Sequence, residues 1–271
     1  MKNEKGRPFL EIFAFAVNED YRFPILQIFA FLYTLATFVF AYAALDSSIE
    51  STGQSATTAY TLASGVLTFP LYIFIVLIFK NIAYGIGNDI DNGIIQIYLA
   101  YPIKRSRVLT AKLLSALGIS FVTFFGIQLF GLYLLASGIV MPYISTILIT
   151  YAANLSFPLF IAGVMLLIAL ILKRGSLAIV VGILLYFALI VISTVLSVLA
   201  NTTGLWTVME VLSLLSPNLA VSAYYQSLSP YHTVGWKPGY AEVLAYAGAS
   251  YAIVAVVFAL AYMYFSRRFS S

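Results

Sequence analysis

The chain has 271 residues, of which 62% are hydrophobic and 9% charged, with no cysteine and one histidine. Soluble domains carry about 25% charged residues, so this composition, with a mean hydropathy of +0.99, excludes an ordinary globular enzyme and points to an integral membrane protein. Disulfides, thiolate metal sites and thiol nucleophiles are excluded with the cysteines. The formal charge of +4 comes from 14 Lys and Arg against 10 Asp and Glu. These basic residues sit at the ends of apolar segments and not on one basic surface, so anionic lipid headgroups are the expected partner and nucleic acid is not.

At the N-terminus, Phe9, Ile12, Phe13, Ala16 and Val17 fall along one helical side, with Glu11, Asn18 and Arg22 nearer the other. This pattern predicts a helix lying in the membrane interface, after which Pro24 turns the chain inward. Positive charge followed by a short apolar run is also what a signal peptide shows. Glu11, Glu19 and Asp20 interrupt that run and no small-residue cleavage site follows, so the segment is expected to be retained.

A membrane helix needs roughly 20 predominantly apolar residues. Six stretches qualify: 24–45, 61–82, 108–137, 144–172, 176–200 and 242–265. With six crossings, every Lys and Arg except Lys237 falls on one side, which assigns both termini and the 83–107 segment to the cytoplasm of a multi-pass cell-membrane protein. The expected organisation is a cytoplasmic N-terminus with its interfacial helix (1–23), a six-helix transmembrane domain (24–265) and a cytoplasmic tail (266–271).

On the opposite side, 46–60 reads as a polar loop, 138–143 as a tight turn and 201–241 as a long mixed segment. Within the last, 205–215 is too short to cross and reads as an interfacial or re-entrant helix. Asn201-Thr202-Thr203 is a glycosylation-type sequon, with Asn201 the candidate acceptor, and His232 reads as a loop residue. No ionisable residue falls near the predicted centre of any crossing, which argues against proton relays and ion-coupled carriers. Among the polar groups that remain, Gln128 and Asn154 are candidates for lining a path. Pro158 predicts a kink, and the small residues Ala245, Gly248, Ala252, Ala255 and Ala259 predict a helix-packing stripe.

The densest charge lies in Asp89–Arg107, DIDNGIIQIYLAYPIKRSR. Asp89, Asp91 and Asn92 stand where acceptors cap backbone N–H groups, residues 93–100 are composed for a short helix, and Pro102 ends it. Ile94, Ile97 and Tyr98 share one side. Such a helix either inserts into a cleft on a soluble partner or rests on anionic headgroups, and composition favours neither. The chain has no phosphate-cradling G-x-x-x-x-G-K-[ST] loop, carboxylate pair, histidine triad or metal cage, so it is not expected to be an enzyme; if it pumps, the energy arrives from another chain.

The run from Asp89 to Lys112 resembles the signature of membrane subunits of ABC-2 type transporters: an acidic residue, G-T-L-E, two leucines, a proline, an arginine after it and a lysine entering the next helix. Gly93, Ile95, Leu99, Pro102, Arg105 and Lys112 match it, while Ile94, Gln96 and Lys104 depart from the usual Thr, Glu and Ser. The layout is similar too, with an N-terminal elbow helix, six crossings and this segment between the second and third. The resemblance implies an all-α fold in which residues 83–107 form a cytoplasmic coupling segment docking onto a separate ABC ATPase. It further implies a second permease copy or a related permease as membrane partner, and ATP and Mg held by the ATPase, with no cofactor in this chain. Asp89, Asp91, Gly93, Ile94, Ile97, Tyr98, Leu99, Pro102 and Arg105 are then the expected coupling residues. The function implied is ATP-driven transport, with export expected; a membrane scaffold that recruits a cytoplasmic partner through the same stretch is the alternative.

Overall fold

The computed structural model describes residues 7–52, 55–100, 104–229 and 235–268. Pro102, His232 and the last three residues of the expected tail lie outside the described residues. Every regular element among the described residues is helical. Helix α1 (Arg7–Asp20) precedes α2 (Ile25–Thr52), α3 (Ala56–Leu67) and α4 (Pro70–Lys80). The chain then widens into a π-helical stretch (Asn81–Gly87) that leads to the short helices α5 (Asn88–Asp91) and α6 (Ile94–Ala100). Next come α7 (Arg105–Leu113), a second π-helical stretch (Leu114–Ile119) and α8 (Ser120–Val140). The remainder is α9 (Ile144–Leu172), α10 (Gly175–Thr203), α11 (Trp206–Ser213), α12 (Asn218–Ser227) and α13 (Tyr240–Arg268).

Six helical segments are long and apolar enough to cross a bilayer: 25–45, 70–91, 105–140, 144–172, 175–203 and 240–268. This is the layout of a multi-pass membrane protein. Five coincide with the sequence expectation to within a few residues at most ends, and the second does not. Ser55 caps α3 through its hydroxyl on Thr58 N–H, and helical pairing pauses at Thr68 and Phe69 before Pro70 opens α4. The qualifying segment therefore runs to Asp91 and carries Lys80 and Asp89, of which Asp89 lies beyond the expected span's end at 82. The expected span began inside α3 and ran through the turn at Thr68 and Phe69, which hydropathy does not register. The expected polar loop at 46–60 is likewise shorter, because α2 runs on to Thr52 and α3 begins at Ala56.

The core is built around α9, which packs along α13, α10 and α3. Tyr151, Ile161, Ala162, Met165 and Leu166 of α9 are fully buried. α9 is assigned as one helix through Pro158, and in α8 Ala136 leaves helical dihedrals (φ −141°, ψ 36°). The small-residue stripe of α13 does not pack within this chain. Ala245, Gly248, Ala252, Ala255 and Ala259 face outward, while Val243, Ser250, Val254, Ala261 and Phe265 face the bundle. At the end of the bundle away from α1, α11 and α12 pack with the start of α3 and of α13, and Tyr60 stacks on Tyr225 at 5.3 Å.

Candidate functional site

At the end of the bundle that carries α1, α5 and α6, the chain buries a polar cluster drawn from four separate segments. The apolar side expected for α1 is the side that packs, with Ile12 and Ala16 against α7 and the second π-helical stretch. Asp20, one helical turn beyond Ala16, is thereby carried into the interior, where it is 2% exposed. Lys112 enters from α7, and Asp89 from α5.

Lys112 is the hub. Its Nζ lies 2.7 Å from Glu19 Oε2 and 2.5 Å from Asp89 Oδ2, with the lysine and Asp89 side chains each 1% exposed. The Glu19 contact is a hydrogen bond, and Lys112 also donates to the Gly85 carbonyl at 3.3 Å. The contact to Asp89 Oδ2 is a close ion pair at hydrogen-bond distance. The ammonium sits 5.3 Å from the Tyr98 ring centroid and 5.9 Å from that of Phe15, which themselves meet edge to face. One side chain of the third crossing thus holds α1, α5 and α6 together. Breaking one arm of such a buried arrangement is costly, because the charge left behind has no water to turn to.

Asp20 anchors a second set of contacts. Ser115 donates to its Oδ2 at 2.5 Å, and Lys80 donates to its backbone carbonyl at 2.6 Å and to Asn81 Oδ1 at 3.1 Å. Tyr21 pairs with Ser120 Oγ at 2.8 Å and donates to the Ser115 carbonyl at 2.9 Å, and Asn81 donates to the Ala116 carbonyl at 3.3 Å. Gly85 lies in the first π-helical stretch and Ser115 and Ala116 in the second, so the two widened turns supply three of the backbone carbonyls on which these side chains converge. Burial pushes the Asp20 carboxyl up to about 6, against the opposing influence of Ser115, Lys112 and Lys80. Burial likewise pushes the Tyr21 hydroxyl up to about 12.

Glycine makes this geometry possible at two places. A Cβ on Gly85 would collide with Asp20 Oδ1, and one on Gly87 would stand 2.5 Å from the Gly175 Cα. The first π-helical stretch therefore touches α10 backbone to backbone, locking the start of the fifth crossing to the same cluster.

The expected coupling residues divide between this interior and the surface. Asp89 makes no helix cap and is buried on Lys112, while Asp91 is exposed. Gly93 takes a left-handed conformation (φ 73°), which turns the chain from α5 into α6 and explains the glycine. The side expected to present Ile94, Ile97 and Tyr98 is split. Tyr98 is 8% exposed and covers Lys112, Ile95 is buried, Ile94 and Leu99 are half-buried, and Ile97 is 63% exposed. Arg105, half-buried, opens α7.

The other candidates fall elsewhere. Gln128 is fully buried and donates to Thr37 Oγ1 and the Val66 carbonyl, each at 3.4 Å, so it ties α8 to α2 and α3 and lines no open path in this conformation. Asn154 donates to the Thr150 carbonyl at 2.8 Å and to Asn218 Oδ1 at 3.0 Å, joining α9 to α12. Asn201 is exposed in the last turn of α10 and donates to the Ser197 carbonyl at 2.9 Å. Sequence reasoning matched Lys112 to the motif without assigning it a role, and passed over Glu19, Asp20, Lys80 and Ser115. The signal was a set of charges flanking apolar runs, legible only when their partners across the fold are known.

Compared with known proteins, the chain matches no family model and no curated sequence.

Proposed function

We propose that the chain is the membrane-spanning permease subunit of an ATP-driven transporter of the ABC-2 type, working as an exporter in the cell membrane with both termini in the cytoplasm. The observation that carries this reading is the placement of α6. It is a short helix between the second and third crossings, displaying Gln96 and Ile97 outward beside the exposed Asp91 of α5, while Tyr98 of α6 and Asp89 of α5 grip Lys112 behind it. A separate ABC ATPase, holding ATP and Mg, would dock on the displayed residues. Its opening and closing would push α6, and Lys112 would pass that displacement to α1 and the third crossing together, rocking this subunit against a second copy or a related permease.

The test is purification of the chain from its native membrane together with the cytoplasmic proteins that stay bound to it, assayed for an ATPase. A complex forms and its ATP turnover changes in the presence of the membrane chain, while Ile97→Asp lowers binding by roughly tenfold or more, the loss of one apolar anchor. A stable complex with a partner that binds no nucleotide would replace transport with scaffolding. Failure of I97D to alter binding would remove α6 as the docking element.

A further inference from the structure

We infer that a cavity between α9, α10 and α11, towards the end of the bundle away from α1, binds the acyl chain of a neutral membrane lipid. Its volume is about 300 Å³, and its wall includes Phe157 of α9, Leu189, Ser193 and Thr194 of α10, and Leu215 and Ser216 beyond α11.

The cavity follows from how α10 is packed. Its buried residues recur at helical spacing through Gly175, Ala178, Gly182 and Tyr186, and the next buried residue is Ala200. Gly182 sits so close to Met165 that any side chain there would strike the sulfur, which draws α10 tight against α9 in its first half. Tyr186 then meets Phe157 at 5.5 Å. Past that contact the inward positions Leu189, Ile190, Ser193 and Ser197 continue the stripe and are only half-buried. From Leu189 to Thr194, about 8 Å of helix, α10 lines a space that the chain leaves open.

The occupant is set by the surroundings and by the lining. α10 is strongly apolar and mostly exposed, and Ile192, at the cavity wall, is 50% exposed, so the cavity opens toward the hydrocarbon of the bilayer. No charged side chain among the described residues lines it, which disfavours ionic ligands; the Ser193 and Ser216 hydroxyls suit an ester or hydroxyl group above the chain, while Thr194 already donates to the Ile190 carbonyl at 2.8 Å. The volume is at the small end of ligand sites, fitting one hydrocarbon chain and not a bulky polycyclic molecule.

The test uses the full chain alone in phosphatidylcholine nanodiscs containing a trace of phosphatidylcholine with a photoreactive diazirine on one acyl chain. After irradiation, peptides bearing Phe157, Leu189 and Leu215 carry the adducts. Filling the cavity with Ser193→Trp, or more mildly Ser193→Leu, lowers their labelling at least about tenfold, equivalent to losing roughly 1.4 kcal/mol of binding. Val195→Trp, on the exposed side of α10, leaves that labelling unchanged. Labelling spread evenly over the exposed positions Val191, Val195 and Val198, or unaltered in whichever Ser193 variant remains folded, would overturn the assignment. Neither ATP nor an ATPase is present, so the outcome is independent of the transport reading.

Discussion

Lys112 is the residue whose removal discriminates most sharply. Replacing it with Met keeps the stem and deletes the charge, leaving Asp89 buried and uncompensated, so the thermal midpoint in detergent should fall by the equivalent of about 3–5 kcal/mol. The double variant Lys112→Met with Asp89→Asn should recover most of the loss. Failure of the second change to rescue the first would show that the lysine acts by packing alone. Asp20 gives a prediction in pH. Because its carboxyl binds a proton more tightly in the folded chain, near 6, than at its ordinary value of 3.8, the folded state takes up a proton between about pH 4 and 6. Stability therefore declines as pH rises through that interval and is level above it. Asp20→Asn keeps the acceptor for Ser115 and removes the ionisation, so it should raise stability at pH 7 and flatten that interval in a pH series of unfolding midpoints.

At the scale of elements, the contact between the first π-helical stretch and α10 depends on two glycines meeting. Gly87→Ala should destabilise by about 1–3 kcal/mol through overpacking, whereas Gly118→Ala in the second π-helical stretch, where a Cβ meets nothing within 4 Å, should be close to neutral; unfolding midpoints of the two variants decide it. α6 offers a similar contrast. Ile95 is 1% exposed and Ile97 63%, so Ile95→Asp should prevent folding while Ile97→Asp should leave the unfolding midpoint unchanged. α6 itself was legible in the sequence, because Gly93 and Pro102 punctuate a short apolar run and Gly93 has the left-handed backbone such a turn requires. The cluster behind it was not. Lys112 and Glu19 lie 93 residues apart, and Ser115 and Asp20 lie 95 apart; no local pattern announces a pairing at that range. The same limit hid the direction of the α13 stripe, since small residues at helical spacing mark a face without saying what it meets.

For the whole molecule, six apolar segments were readable from hydropathy alone. The second was misplaced because hydropathy runs straight through the turn at Thr68 and Phe69 and stops at residue 82, and it takes Asp20, Glu19, Asp89 and Lys112 together to keep charge inside. The absence of cysteine makes orientation directly measurable. Gln96→Cys and Thr202→Cys occupy exposed positions near opposite ends of the bundle, so a membrane-impermeant maleimide should label them from opposite faces in sealed vesicles, Gln96→Cys from the cytoplasmic face. Labelling of both from the same face would invalidate the six-crossing arrangement.

The lysine that joins Glu19 to Asp89 also bears on how the chain is made. During synthesis the third hydrophobic segment emerges with a cation close to its start, and the two carboxylates that neutralise it belong to segments already delivered. Biogenesis then acquires an order: the first hairpin must wait beside the translocon, with its acids ready, for the third helix to settle at the proper depth. A nascent chain lacking Asp89 would be caught at that step and handed to quality control before any partner could meet it.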